Sequence, residues 1–144
     1  MAKRALIKSV MTPFPHSIDA EATITEARIM MEEHDIRTLP VQRQNVLVGL
    51  VADRDLRLLL DASGRSLVGD EVRVGDICEP DPYVVDRNHA LDDVLLHMAS
   101  ERIGSALVTR KGKLVGVFTV VDACRGYAEL LRKVTGLDED DTVA

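Results

Sequence analysis

The chain has no tryptophan and only two tyrosines and two phenylalanines, an aromatic content of 3% in 144 residues. A core with so few rings must be aliphatic, built from Val, Leu, Ile, Met and Ala. Cysteine is nearly as scarce. Cys78 and Cys124 make neither a disulfide framework nor a metal set, and they read as buried or half-buried thiols in a reducing compartment. No apolar run approaches the ~18 residues needed to cross a bilayer. The basic start MAKRALIKSVMTP lacks the apolar stretch of an export signal, so the expectation is a cytoplasmic protein. Positive charge is also in short supply, with 18 Lys and Arg against 24 Asp and Glu for a formal charge of −6. That balance argues against nonspecific binding to nucleic acid or to a membrane surface, and an anionic ligand would need local donors. His16, His34, His89 and His97 are scattered without a metal-ligand spacing. No Ser/His/Asp or Cys/His set emerges, so neither a metal centre nor an enzyme is expected.

What the sequence does contain, it contains twice. A shift of 67 residues lays positions 10–56 on 77–123 without a gap. Pro13 meets Pro80, Pro15 meets Pro82, Asp19 meets Asp86 and Met31 meets Met98. Ile36 meets Ile103, Val41 meets Val108, Leu47-Val48-Gly49 meets Leu114-Val115-Gly116, and Asp55 meets Asp122. This is a tandem duplication. It divides the chain into a first repeat with its lead-in at 1–69, a second repeat at 70–137 and an acidic tail at 138–144.

Each copy follows one grammar. A Pro-punctuated segment, TPFPHSI or EPDPYVV, enters extended because residues before Pro avoid the helical region. A helix follows, marked in the first copy by the capping box Thr23-Ile24-Thr25-Glu26 and the stripe Ile24, Ala27, Met31. The second copy draws the same stripe with Leu91, Val94, Leu95 and Met98. Two short strands come next, joined by the hairpin turns RQN and RKGK. A closing helix is expected over DLRLLLDASG and over DACRGYAELLRKVTG, stopped by Gly64 and Gly136. Such a β-α-β-β-α unit cannot cover its own sheet, which gives a reason for the duplication.

These features together resemble a tandem pair of cystathionine-β-synthase-type (CBS) domains. The resemblance rests on the M-T-P opening at Met11-Thr12-Pro13, the segments HDIRTLPV and ERIGSALV, and the endings Gly49…Ala52…Asp55 and Gly116…Thr119…Asp122. It covers roughly residues 6–134. It implies an α/β fold of two pseudo-symmetric β-α-β-β-α repeats packed through their sheets, with two clefts. Members of the family commonly bind adenosine-containing ligands there: AMP, ADP, ATP, NAD(H) or S-adenosylmethionine. An Asp at the start of the last helix accepts from the ribose hydroxyls, and a Thr three residues earlier contacts phosphate or ribose.

Carried over by position, the resemblance gives one main cleft with Val117, Thr119 and Asp122 joined by His16, Ile36 and Arg37. A weaker cleft takes Leu50 and Asp55 with Tyr83, Ile103 and Gly104, and there Ala52 replaces the threonine and Asp53 adds a negative charge. A carboxylate is an acceptor matched to paired hydroxyl donors. Asp is equally a helix N-cap, so capping and ribose binding both remain open for Asp55 and Asp122. The expectation is a regulatory module that needs no cofactor and takes an adenine nucleotide as ligand. It would form a homodimer and signal to a regulated protein, with no nucleic acid or membrane among its partners. The rival readings are a ligand-free dimerisation or interaction module and a sensor of NAD(H) or S-adenosylmethionine.

Overall fold

A computed structural model describes residues 3–136 and shows a mixed α/β chain with two sheets. In chain order it has a 3-10 turn at Ile7–Ser9, β1 at Thr12–Pro13, β2 at Ile18–Asp19 and α1 at Ile24–His34. Then come β3 at Thr38–Arg43, β4 at Val46–Ala52, α2 at Asp53–Arg57 and α3 at Val74–Ile77. The second copy supplies β5 at Val84–Asp86, α4 at Leu91–Glu101, β6 at Ser105–Arg110, β7 at Lys113–Thr119 and α5 at Val120–Val134. The acidic tail expected at 138–144 lies outside the described residues.

The local signals act as elementary chemistry requires. The Thr23 hydroxyl accepts from the Glu26 N–H at 3.1 Å, and the Glu26 carboxylate accepts from the Thr23 N–H at 3.0 Å, so α1 starts with both halves of its capping box. Its buried residues are Ile24, Ala27 and Met31. Both hairpins turn on two residues of positive φ, Gln44-Asn45 and Lys111-Gly112, whose twist matches that of the flanking strands. α1 carries the chain from β2 to its parallel neighbour β3, and α4 does the same between β5 and β6.

The chain divides into two compact units, one of residues 15–82 and the other of residues 3–14 with 83–136. The compact units do not coincide with the sequence repeats, because the opening segments are exchanged. β1 lies antiparallel on β7, pairing Thr12 with Val117. The equivalent residue 67 positions on, Glu79, pairs with Leu50 of β4. Each repeat's first segment therefore closes the sheet of the other repeat's strands. The exchange gives the repeated glycine its reason. A Cβ on Gly49 would sit 2.5 Å from the Glu79 carbonyl oxygen and 2.6 Å from the Cys78 sulfur. A Cβ on Gly116 would strike the Met11 side chain, at the position equivalent to Cys78.

Each unit has its own aliphatic core. Ile18, Ile24, Ala27, Met31, Leu39, Val41, Val51 and Val74 fill one. Ile7, Val85, Val94, Met98, Ala106, Val108 and Phe118 fill the other. The lead-in is integral to the second. Ile7 is fully buried, its N–H donates to the His89 carbonyl at 2.9 Å, and the Leu91 N–H donates to the Ala5 carbonyl at 2.8 Å.

One expected element is corrected. The helix expected over residues 55–64 ends at Arg57, because Asp61 organises a tight loop instead. Its carboxylate accepts from the Ser63 hydroxyl at 2.7 Å and from the Ser63 and Arg65 N–H groups at 2.9 Å. Those bonds hold the Asp61 carboxyl below its ordinary pKa, the Ser63 hydroxyl contributing most. Gly64, at φ +86°, is a loop residue there rather than a helix stop. Ahead of the second repeat's first strand lies α3, whose buried Val74 is the counterpart of Ile7.

Two stability outcomes follow from the exchange. Ile7→Ala should cost about 2–5 kcal/mol in urea denaturation, although it lies far in sequence from the strands it supports. Gly49→Ala should cost about 1–3 kcal/mol by overpacking, and more than Gly116→Ala, because a backbone carbonyl yields less readily than a methionine side chain. Equal melting midpoints for the two glycine variants would contradict the assigned contacts.

Candidate functional site

β7 runs directly into α5, and that junction holds Thr119 and Asp122. The strand ends at Thr119, whose backbone is still extended and whose side chain becomes the N-cap of α5. Asp122 is therefore not the N-cap that its sequence position suggests. It is the third helical residue, and its carboxylate reaches back to the cap. Asp122 Oδ2 accepts from the Thr119 N–H at 2.9 Å and lies 3.3 Å from the Thr119 hydroxyl. That hydroxyl accepts in turn from the Asp122 N–H at 3.4 Å.

The other carboxylate oxygen faces different company. Through the exchanged strand, the Thr12 hydroxyl donates to Asp122 Oδ1 at a long 3.3 Å, and Arg125 stands 3.8 Å away. The Asp122 side chain is only 12% exposed. Oδ2 is thus committed to the helix start, while Oδ1 keeps acceptor capacity in a site with two hydroxyls and one guanidinium. Such an oxygen can take a hydroxyl donor from a ligand.

The first repeat keeps the same helix start with fewer parts. Asp55 Oδ2 accepts from the Ala52 N–H at 3.0 Å, but Ala52 offers no oxygen to the helix, so only half the box exists. At the register position of Thr12 stands Glu79, at that of Val120 stands Asp53, and at that of Arg125 stands Leu58. Asp53 is paired with Arg57 at 2.8 Å. The Asp55 side of the duplication therefore gathers carboxylates where the Asp122 side has hydroxyls and a cation.

The remaining sequence candidates fall as follows. Val117 is half-buried between Thr12 of β1 and Leu107 of β6. Gly104 lies at the approach to β6, where its carbonyl accepts the Val120 N–H at 3.0 Å, and half-buried Ile103 packs on that unit's core. Tyr83 packs there too, its ring 4.3 Å from that of His97, and burial raises its phenol pKa. In the unit of residues 15–82, Ile36 and Arg37 line an open groove with Met31, Leu60, Asp53 and Arg57. The Arg37 carbonyl accepts the Asp53 N–H at 2.7 Å, the counterpart of the Gly104 contact. His16 is exposed and stacks on His34 at 3.6 Å between ring centroids. Leu50 is buried against Glu79.

Thr12, Glu79 and Arg125 are the site-adjacent residues that the sequence reading did not single out. The shift of 67 already set Thr12 against Glu79, but only the exchanged strands show which Asp each one serves. Cys78 is half-buried, with burial raising its thiol pKa, whereas Cys124 is exposed on α5 and not the half-buried thiol expected. Among the described residues no group of three or more His, Cys, Asp or Glu side chains could hold a metal ion. No described helix is long and apolar enough to cross a membrane.

A duplicated α/β chain with exchanged edge strands and an acid-capped helix after each hairpin defines a paired-repeat module. The chain belongs to the CBS domain family, whose model matches residues 7–62 and 74–129. It is similar to the CBS domain-containing protein YhcV of Bacillus subtilis, 28% identical over 116 residues, which cover 81% of each chain. Among solved structures it resembles a putative acetoin utilization protein (AcuB) from Vibrio cholerae, with a TM-score of 0.80 and 26% identity over 94% of this chain and 99% of that one. It also resembles CBSX2 in complex with AMP, with a TM-score of 0.75 and 27% identity over 88% of this chain and 98% of that one.

The two helix starts make a matched pair for mutation. Thr119→Ala should destabilise the protein by about 0.5–2 kcal/mol, while Ala52→Ser, which completes the missing half box, should stabilise it by about the same amount. Urea melts of both variants read these opposite signs.

Proposed function

We propose that the protein is a cytoplasmic regulatory module that binds an adenosine-containing ligand, AMP, ADP or ATP, at Asp122. It self-associates and passes its ligand state to a partner protein rather than catalysing a reaction. The observation that carries the reading is Asp122 Oδ1, on a side chain only 12% exposed, whose Thr12 and Arg125 partners are long and weak. A ribose hydroxyl is a donor of the right kind for it. The Thr119 hydroxyl and the Arg125 guanidinium supply donors toward a phosphate. The AMP held by CBSX2, a relative in fold and sequence, supports the adenosine ligand. The resemblance also assigns His16, Ile36 and Arg37 to this ligand, and Arg37→Ala reads that contribution separately.

Occupancy of the Asp55 side is proposed to be weaker. Asp53, Asp55 and Glu79 place three carboxylates at positions that carry one on the Asp122 side. A phosphate group meets repulsion there, and the hydroxyl that would offset it is missing at Ala52. A ligand-free interaction module stays the second reading, because each Asp also serves its own helix start.

Calorimetric titration with AMP, ADP and ATP separates these readings. Asp122→Ala should weaken binding tenfold or more, since a hydrogen bond to a charged group contributes roughly 1.5–3 kcal/mol. Asp55→Ala removes the equivalent bond to a cap N–H and should leave affinity almost unchanged, which makes it the control for lost capping. Equal losses in the two variants would reverse the ranking, and no heat with any nucleotide would favour the ligand-free reading.

A further inference from the structure

The sheet of the second repeat ends in a row of cations. β5 and β6 run parallel and finish at Asp86 and Arg110, β7 begins opposite Arg110 at Lys113, and β1 runs back along β7 toward the same end. Arg87 follows β5 directly, and its N–H donates to the Thr109 carbonyl at 2.8 Å, beside Arg110. The Lys8 N–H donates to the Arg87 carbonyl at 3.1 Å, and Lys111 stands in the hairpin turn. Lys8, Arg110, Lys111 and Lys113 are exposed, Arg87 is half-buried, and among the described residues none of the five is in an ion pair. Asp86 lies among them, but its carboxylate accepts from the Asn88 N–H at 2.9 Å. At the β1 end of the row stands Phe14, 93% exposed, whose N–H donates to the Val115 carbonyl at 3.3 Å. Arg110 and Lys113 are direct cross-strand partners, and like charges so placed cost stability. The first repeat has no such row. Arg87, Arg110, Lys111 and Lys113 correspond there to Ala20, Arg43, Gln44 and Val46, and Arg43 is paired with Glu21.

We infer that this row docks a short acidic segment of another protein, with an apolar side chain of that segment against Phe14. The inference rests on the reading that the protein signals to a partner, and it names the surface and the partner's chemistry. Carboxylates laid along the row neutralise the like charges that the hairpin otherwise holds together, and an exposed aromatic at its end is the kind of anchor that interfaces use. Strands ~4.8 Å apart put about 14 Å between the ends of β1 and β5, the length of a few extended residues. A longer polyanion fits less well. Outside the row the chain is more acidic than its net charge of −6, so nucleic acid or an anionic membrane reaching past the row meets repulsion. One aromatic also offers no platform for successive bases.

Fluorescence anisotropy of the full chain with a labelled peptide tests the inference. The probe has about six alternating Asp and Glu residues with leucine at both ends, long enough to span the row at ~3.3 Å per residue. The wild type should bind it, and more weakly as salt rises, because the charges are exposed. Lys111→Glu together with Lys113→Glu should weaken binding about tenfold or more, as two attractions become two repulsions. Phe14→Ser should weaken it less, and Arg132→Glu with Lys133→Glu on α5 should leave it unchanged. Lys113→Glu alone separates docking from folding. It sets opposite charges across the hairpin, so its urea midpoint should rise while its affinity for the peptide falls. No binding to the wild type at low salt, or binding indifferent to the hairpin variants, would overturn the inference. Tighter binding of oligothymidylate or of phosphatidylserine vesicles than of the peptide would overturn it too, assigning the row to nucleic acid or lipid. Binding that emerges only after Asp138, Glu139, Asp140 and Asp141 are changed to Asn and Gln would assign the row to the chain's own tail. Titration of the hairpin double variant with AMP should match the wild type, so a failed docking row and a failed nucleotide site are told apart.

Discussion

Everything in this molecule hangs on the approach of a stranger's backbone to a glycine. Gly49 and Gly116 lie where an opening segment from the other repeat is laid against the strand, and there is no room for a Cβ at either place. Backbone pairing at Leu50 with Glu79, and at Thr12 with Val117, depends on that closeness. From it follow the covered strand edges, the burial of Ile7 and Val74, and the arrival of Thr12 beside Asp122. A sheet with an unpaired edge would be a template for aggregation. The exchange closes that edge with the protein's own chain.

The same pairing makes the two halves chemically unequal. Duplication gave both repeats a helix that begins with a carboxylate reaching back to an N–H, and the identical bonds at Asp55 and Asp122 show how little the scaffold has changed. What surrounds the carboxylate has changed entirely. A threonine, a threonine and an arginine near Asp122 correspond to an alanine, a glutamate and a leucine near Asp55. None of these six residues belongs to either aliphatic core, so the scaffold accommodates the differences.

Much of this was legible in the sequence because duplication is a pattern that needs no coordinates. The 67-residue shift located the strands, the capping box at Thr23 and Glu26, both hairpins and the paired Asp positions. The failures have separate physical causes. DLRLLLDASG has helical periodicity, but the Asp61 carboxylate offered Ser63 and Arg65 a loop whose local hydrogen bonds outcompete a helix continued past Arg57. Asp122 stayed open between N-cap and ribose acceptor, because nothing in the sequence says whether Thr119 or Asp122 begins the helix; the structure makes Thr119 the N-cap and Asp122 the third helical residue. Thr12 was legible as part of M-T-P but not as a partner of Asp122, because no local rule says that an opening segment will cross to the other repeat's sheet.

The exchange also nests one unit inside the other along the chain. Residues 15–82 form a continuous unit, whereas the second unit needs both residues 3–14 and residues 83–136. Thr12 and Asp122 are separated by 110 positions, yet they share a hydrogen bond. During synthesis the inner unit can close while the arm that carries Ile7 and Thr12 still waits for β7. Closing so long a loop is slow compared with local hairpin formation. The Asp122 site therefore cannot assemble before β7 and α5 have met that arm, however early the inner unit folds.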